Sequence, residues 1–213
     1  MASLPKTDDM RLRASNVRGR RANSAVLEAA TVLFAERGYM GTSIADVAVA
    51  SGVAKPSVLY HYSDKDSLWK AVVATLWAEV DAFYGTHYPP NEPPTRARLQ
   101  LLLELFVQAS LRWPAYVRIP FIEGASPSWR TDWLVDHYFG RHVLATDRLI
   151  RALQQSGDIG PGDPAHFQAL LSSPVNVFVA QGSMWDRAYG RALDDAVSLR
   201  AAVAIGLEAV FSK

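Results

Sequence analysis

Cysteine is absent from this 213-residue chain, which excludes a disulfide framework and any thiolate metal site. No apolar run approaches the ~18 residues that a membrane span requires, so no membrane partner is expected. The opening stretch, MASLPKTDDMRLR, lacks the apolar core of a secretory signal. A glycine-rich phosphate loop ending in Lys-Ser/Thr is missing, as is a GxSxG elbow. His137 and His142 lie five apart, on different faces of a helix, with no cysteine to complete a zinc set. Glu123 and Asp132 flank the segment EGASPSWRTD without an evident base or nucleophile beside either. Together these absences predict a soluble cytoplasmic protein with no catalytic chemistry, no cofactor and no metal.

What is present is unevenly distributed. Lysine and arginine number 22 against 21 acidic residues, a net charge of +1. Yet Lys6, Arg11, Arg13, Arg18, Arg20 and Arg21 crowd the start, opposed there only by Asp8 and Asp9. Residues 1–21 therefore read as a basic disordered arm, a composition that either solubilises a chain or binds polyanions.

Helical periodicity begins beyond the arm. Val26, Leu27, Ala30, Leu33 and Phe34 recur at helical spacing, and Gly38 stops the run. Thr42 or Ser43 caps a second helix, with Asp46 suited to its positive end and Ile44, Val47 and Ala48 as its buried stripe. Gly52 supplies a turn, and Pro56 fits the first turn of a third helix. Ser63-Asp64 opens a fourth helix, whose apolar face is Leu68, Val72, Leu76 and Val80.

Two short helices joined by a glycine turn, followed by a long one, make a helix-turn-helix layout. Such a layout explains the odd third helix, where Lys55, Ser57, Leu59, Tyr60 and His61 share space with a single evident core residue, Val58. A recognition helix keeps side chains free of the core so that they can reach base edges in the major groove. Lysine donates to guanine, serine bonds either way, and tyrosine and histidine reach phosphates as well as bases. Lys65, at the start of the fourth helix, is placed to hold a phosphate. A helical hairpin used for protein contacts is the competing reading of the same pattern.

The stretch from about Arg21 to Leu76, with VLEAATVLFAERGYMGTSIADVAVASGVAKPSVLYHYSDKDSLWKAV at its centre, resembles the DNA-binding domain of the TetR family of bacterial regulators. That resemblance implies phosphate contacts from Thr42 and Ser43, a groove-facing set of Lys55, Pro56, Ser57, Tyr60 and His61, and a phosphate-binding Lys65. Two positions depart from the family pattern. Ala54 stands where a capping serine or threonine is common. Leu59 replaces a common tyrosine, and it either packs on a thymine methyl or folds back onto the domain.

Beyond Trp77 basic clustering stops and large aromatics dominate. The loop HYPPNEPP ends the fourth helix, and an apolar helix follows over residues 95–112. Pro114 and Pro120 bracket a short irregular helix, a long one spans 131–156, and after GDIGPGDP two more cover 164–190 and 194–211. The expected fold is all-α: a three-helix helix-turn-helix domain over 22–76, then a helical ligand-binding and dimerisation domain over 77–213, with about nine helices in all. By the resemblance, the last two helices build a homodimer. Ala202, Val203, Gly206, Leu207 and Val210, small beside large, make the candidate interface. Trp77, Phe106, Tyr116, Phe121, Trp133, His137, Tyr138 and Phe178 are the candidate pocket lining. The function expected is a repressor released from a palindromic operator on double-stranded DNA by a small, mostly apolar or aromatic effector. The alternative is a helix-turn-helix protein whose C-terminal domain only dimerises.

Overall fold

Turns and loops divide the chain into nine helices among the described residues. In the computed structural model these are residues 7–89 and 91–211, with side chains described from Gly19 onward. The helices are α1 (Thr7–Arg37), α2 (Ile44–Ser51), α3 (Lys55–His61), α4 (Lys65–His87), α5 (Arg96–Arg112), α6 (Ala115–Glu123), α7 (Trp129–Leu134 continued through Gly140–Gln155), α8 (Pro164–Tyr189) and α9 (Ala196–Phe211). No strand interrupts them among the described residues. Nor does any helix there have the length and apolarity to cross a membrane.

Helix α1 begins within the stretch read as a disordered arm, so that arm is helical from Thr7. Residues 1–6 lie outside the described residues. The reason is local: five of residues 7–21 are arginine, a good helix former, joined by Met10, Leu12 and Ala14. A scarcity of apolar residues had concealed this.

The chain divides into two compact units between Thr75 and Leu76, and α4 begins in the first and ends in the second. In the first unit Val26, Ala30 and Phe34 of α1 are buried, with Val47 of α2, Val58 of α3 and Leu68, Trp69, Val72 and Val73 of α4. Ser43 caps α2 through a reciprocal box: its hydroxyl accepts from the Asp46 amide at 3.1 Å, and the Asp46 carboxylate accepts from the Ser43 amide at 2.9 Å. These bonds hold the Asp46 carboxyl below its ordinary value. Gly52 closes α2 at φ 67°, a left-handed conformation open to glycine.

In the second unit Leu99, Leu103 and Val107 of α5 pack with Val117 of α6, Leu149, Ile150 and Leu153 of α7, Leu171 and Val175 of α8, and Leu199 and Val203 of α9. Helix α7 departs from a continuous α-helix. Residues Val135–Phe139 form a π turn, closed by the Gly140 amide donating to the Val135 carbonyl. A Cβ on residue 140 would lie 2.7 Å from that carbonyl oxygen, so glycine is what permits the closure. Helix α8 contains Pro174 and kinks at Gln181. Arg118 Nε of α6 donates to the Val179 carbonyl beside that kink at 3.0 Å, giving the disturbed backbone an acceptor's partner.

The last helix corrects an expectation. Val203, Gly206 and Val210 are buried within the protomer, and Leu207 and Ala202 are partly buried. A Cβ on residue 206 would sit 3.6 Å from the Leu170 carbonyl and 3.7 Å from a Leu171 methyl. The small residue therefore serves close approach between α8 and α9 of one chain, and the face chosen from sequence is an internal one. Val197, Ala201, Ala204 and Ile205 form the exposed face instead.

Candidate functional site

One residue of α3, Val58, is fully buried, and the other six positions, Lys55, Pro56, Ser57, Leu59, Tyr60 and His61, are exposed. Tyr60 is 86% exposed and Leu59 40%, so Leu59 has not folded fully back onto the domain. The Tyr60 and His61 rings meet edge to face at 5.4 Å, which couples their orientations. Ala54 provides no side-chain cap, and Pro56 sits in the first turn. Immediately after α3, Tyr62 is buried and its hydroxyl donates to Asn23 Oδ1 at 2.7 Å. Burial raises this phenol above its ordinary pKa. Helix α3 is thus pinned from behind and bare in front.

Thr42, Ser43 and Lys65 have internal work. Thr42 is 2% exposed, and its hydroxyl donates to the Leu33 carbonyl at 3.1 Å and the Gly38 carbonyl at 3.0 Å. That hydroxyl does not reach the surface, which corrects its expected role as a phosphate donor. The exposed Ser43 hydroxyl donates to Asp46 at 2.6 Å as well as capping α2. Lys65 Nζ donates to the Tyr39 carbonyl at 3.0 Å and the Thr42 carbonyl at 3.1 Å, and lies 3.9 Å from the Tyr39 ring centroid. The Tyr39 hydroxyl in turn donates to Asp66. The ammonium fastens the α1–α2 turn to the first turn of α4, where a free phosphate clamp had been expected.

A cavity of about 640 Å³ lies within the second unit, inside the size range of small-molecule sites. Of the eight aromatic and histidine positions expected to line it, Trp77, Phe106, Tyr116 and Phe121 do so. Trp133, His137, Tyr138 and Phe178 do not. His137 is exposed, stacks on Trp133 at 4.6 Å and shares its Nδ1 with the Trp133 carbonyl at 2.9 Å. Tyr138 backs onto Trp77 at 5.6 Å, and Phe178 packs edge to face on Trp185 at 5.5 Å. The π turn accounts for the part of the miss that falls inside it, at His137 and Tyr138. One extra residue in α7 rotates everything after it by about 100° against the 3.6-residue period, and so Phe139, His142, Thr146 and Leu149 reach the cavity. Tyr84 of α4 and Tyr88, just past its end, were also missed, although they follow Trp77 at helical spacings of seven and four.

Polar groups are sparse along these walls. Arg98 Nε donates to the Tyr88 hydroxyl at 2.9 Å. His142 Nε2 lies 3.2 Å from Asp81 Oδ1, and Arg141 also pairs with Asp81. Burial lowers the His142 pKa below 6.5, with Arg141 adding to the effect and Asp81 opposing it. At neutral pH the imidazole is uncharged. Glu123, which sequence left without a partner, is buried and bonded by Arg130 at 2.6 Å, a structural link between α6 and α7. Among the described residues no group of acidic or histidine side chains could hold a metal.

Residues 26–72 match the family model described as bacterial regulatory proteins, tetR family. The chain is 25% identical over 199 residues to the HTH-type transcriptional regulator RutR of Escherichia coli strain K12, covering 90% of this chain and 88% of that protein. It is 35% identical over 91 residues to the HTH-type transcriptional repressor Rv3405c of Mycobacterium tuberculosis strain H37Rv, covering 43% of this chain and 47% of the relative. The crystal structure of HlyIIR, a hemolysin II transcriptional regulator, superposes with a TM-score of 0.69 at 19% identity, covering 92% of this chain and 99% of that one. At that identity the likeness speaks for the fold.

Two expectations follow from these contacts. Lys65→Met keeps the aliphatic stem but removes the donors to two carbonyls, and should destabilise the first unit by about 1–3 kcal/mol, read as a lower melting temperature. An unchanged melting temperature, with the salt slope of DNA binding reduced by about one, would restore the phosphate role. His142 is held neutral when folded, whereas the unfolded chain protonates it near 6.5. Stability is therefore full above that value and is lost as pH falls through it toward the lower folded pKa. Thermal melts from pH 8 to 5 should show a loss that His142→Gln diminishes.

Proposed function

We propose that the chain is a DNA-binding transcriptional regulator of the TetR family, and that it works as a cytoplasmic homodimeric repressor released from a palindromic operator by a small, mostly apolar or aromatic effector. The observation that carries the effector half is the aromatic-walled cavity in the second unit. A domain that only dimerises has no need of such a space. For the DNA half, six exposed side chains on α3 supply cationic, hydroxylic, aromatic and apolar groups. Lys55 suits guanine, Ser57 bonds as donor or acceptor, and Leu59 suits a thymine methyl. Thr42 and Lys65 position this surface from behind. Repression accords with the name of one relative, a transcriptional repressor. Kinship with regulators, and not any absence, is what sets aside an enzyme reading.

The dimer is assigned to the exposed faces of α8 and α9. Val197 (77% exposed) and Ile205 (69%) project from α9, and Leu170 and Met184 from α8. Gly206 brings α9 against Leu170, so these exposed apolar groups belong to neighbouring helices of one surface. Two copies joined there present two α3 helices to half-sites about 34–36 Å apart or a multiple of one turn. Trp77 and Tyr84 of the cavity lie on α4, the helix that starts at Lys65. A ligand that shifts α4 thereby changes the support of the α1–α2 turn. Such coupling spans about 5- to 150-fold in affinity.

Lys55→Ala should cost about 1–3 kcal/mol at the base pair it reads and relax preference there, while leaving the melting temperature unchanged. Anisotropy titrations against single-base operator variants measure this. A uniform loss across all variants would move Lys55 to the phosphates. For assembly, Ile205→Glu should yield folded monomers in sedimentation, because its charge enters an apolar interface. Gly206→Glu should damage the protomer itself. A dimeric Ile205→Glu would place the interface elsewhere.

A further inference from the structure

The cavity contains an unbalanced set of hydrogen-bonding groups. Trp77 is 1% exposed, and its indole nitrogen is buried without a hydrogen-bond partner. An indole N–H only donates. The hydroxyls of Tyr84 and Tyr116, on the same walls, have no hydrogen-bond partner among the described residues. The Trp77 and Tyr116 rings meet at 5.2 Å, and burial, with Tyr116 adding to it, raises the Tyr84 phenol. A buried donor left unmet costs about 1–3 kcal/mol, so a ligand oxygen placed here relieves a standing penalty.

Charge decides what kind of oxygen. Asp81 lies on α4 between Trp77 and Tyr84, and its negative charge adds to burial in raising the Tyr116 phenol. Its cationic neighbour Arg141 is bound to that same carboxylate and is half exposed. His142 beside it is neutral. The cations that do line the cavity are Arg98 and Arg148. Arg98 is fixed on Tyr88, just past the end of α4 and eleven residues from Trp77, about 16 Å at the helical rise. Arg148 lies on the solvent-exposed side of α7. A carboxylate at the Trp77 cluster would face Asp81 with no free cation to balance it, whereas an uncharged carbonyl has no such cost.

We propose that this cavity recognises an apolar ligand by an uncharged carbonyl oxygen, held by Trp77 Nε1 and the hydroxyls of Tyr84 and Tyr116, and that it discriminates against the matching carboxylate. The assignment rests on the reading of the cavity as an effector site and adds the ligand class. Leu99, Leu103 and Phe106 supply the apolar wall against which the rest of such a molecule packs.

The test uses the full chain and three probes of similar shape: 2-acetonaphthone, 2-naphthoate and 2-ethylnaphthalene. Titration calorimetry should find the ketone binding about tenfold more tightly than either of the others, the worth of a hydrogen bond of about 1.4 kcal/mol. Tyr116→Phe and Tyr84→Phe, which remove one hydroxyl and keep the ring, should each reduce that preference without altering 2-ethylnaphthalene affinity. Trp77→Phe should do the same, and the two tyrosine variants stand if it disturbs packing. Equal affinities for ketone and hydrocarbon, a carboxylate that binds best, or a preference untouched by these variants overturns the ligand class and leaves the effector site intact. Failure of all three probes to bind, with no rise in melting temperature, overturns both.

Discussion

A helix that ends must find partners for its last carbonyls, and the first unit depends on how α1 and the turn after it meet that demand. The Thr42 hydroxyl serves Leu33 and Gly38, and the Lys65 ammonium serves Tyr39 and Thr42. A cation at this place also favours the negative end of the helix dipole. The groups that satisfy the backbone are thereby the ones that set where α2 starts and where α4 is fastened. Since α3 offers the core only Val58, its position is inherited from these neighbours. Seven residues are well below the ~12 at which an isolated helix becomes even marginal in water, so α3 exists by tertiary support alone.

Much of the first unit was legible because its signals are local. Ser43 and Asp46 three apart, Gly52 after an apolar stripe and Pro56 in a first turn each act within a few residues. The exposed set on α3 could be read by subtraction, since only Val58 fits a core. What could not be read was where Thr42 and Lys65 point. Both residue types suit phosphate and both suit an orphan carbonyl, and only the three-dimensional position of Leu33, Gly38 and Tyr39 decides between them.

The second unit was legible as helices and much less so as faces. Its helix order follows the proline and glycine punctuation closely, but facing residues require an unbroken period. Gly140 permits the π turn in α7, and with that one insertion His137 falls outside the cavity wall while Phe139 and His142 line it. A glycine inside an otherwise helical run was the available signal. In α9 the pairing of small with large residues was correctly seen as close packing. It could not say whether the neighbour was α8 of the same chain or a second copy. Gly206 against Leu170 and Leu171 answers that.

The bareness of α3 has an evolutionary consequence. Substitutions at exposed positions usually change stability by no more than about 0.5 kcal/mol, and six consecutive or near-consecutive positions here are of that kind. On the proposed reading of α3, mutations that rewrite which bases are read are therefore close to neutral for folding. A gene duplicate of this chain can drift toward a new operator without first acquiring compensating changes in its core, whereas Val58, Thr42 and Lys65 stay under constraint. The boundary between what can diverge and what cannot runs along a single short helix, one residue wide.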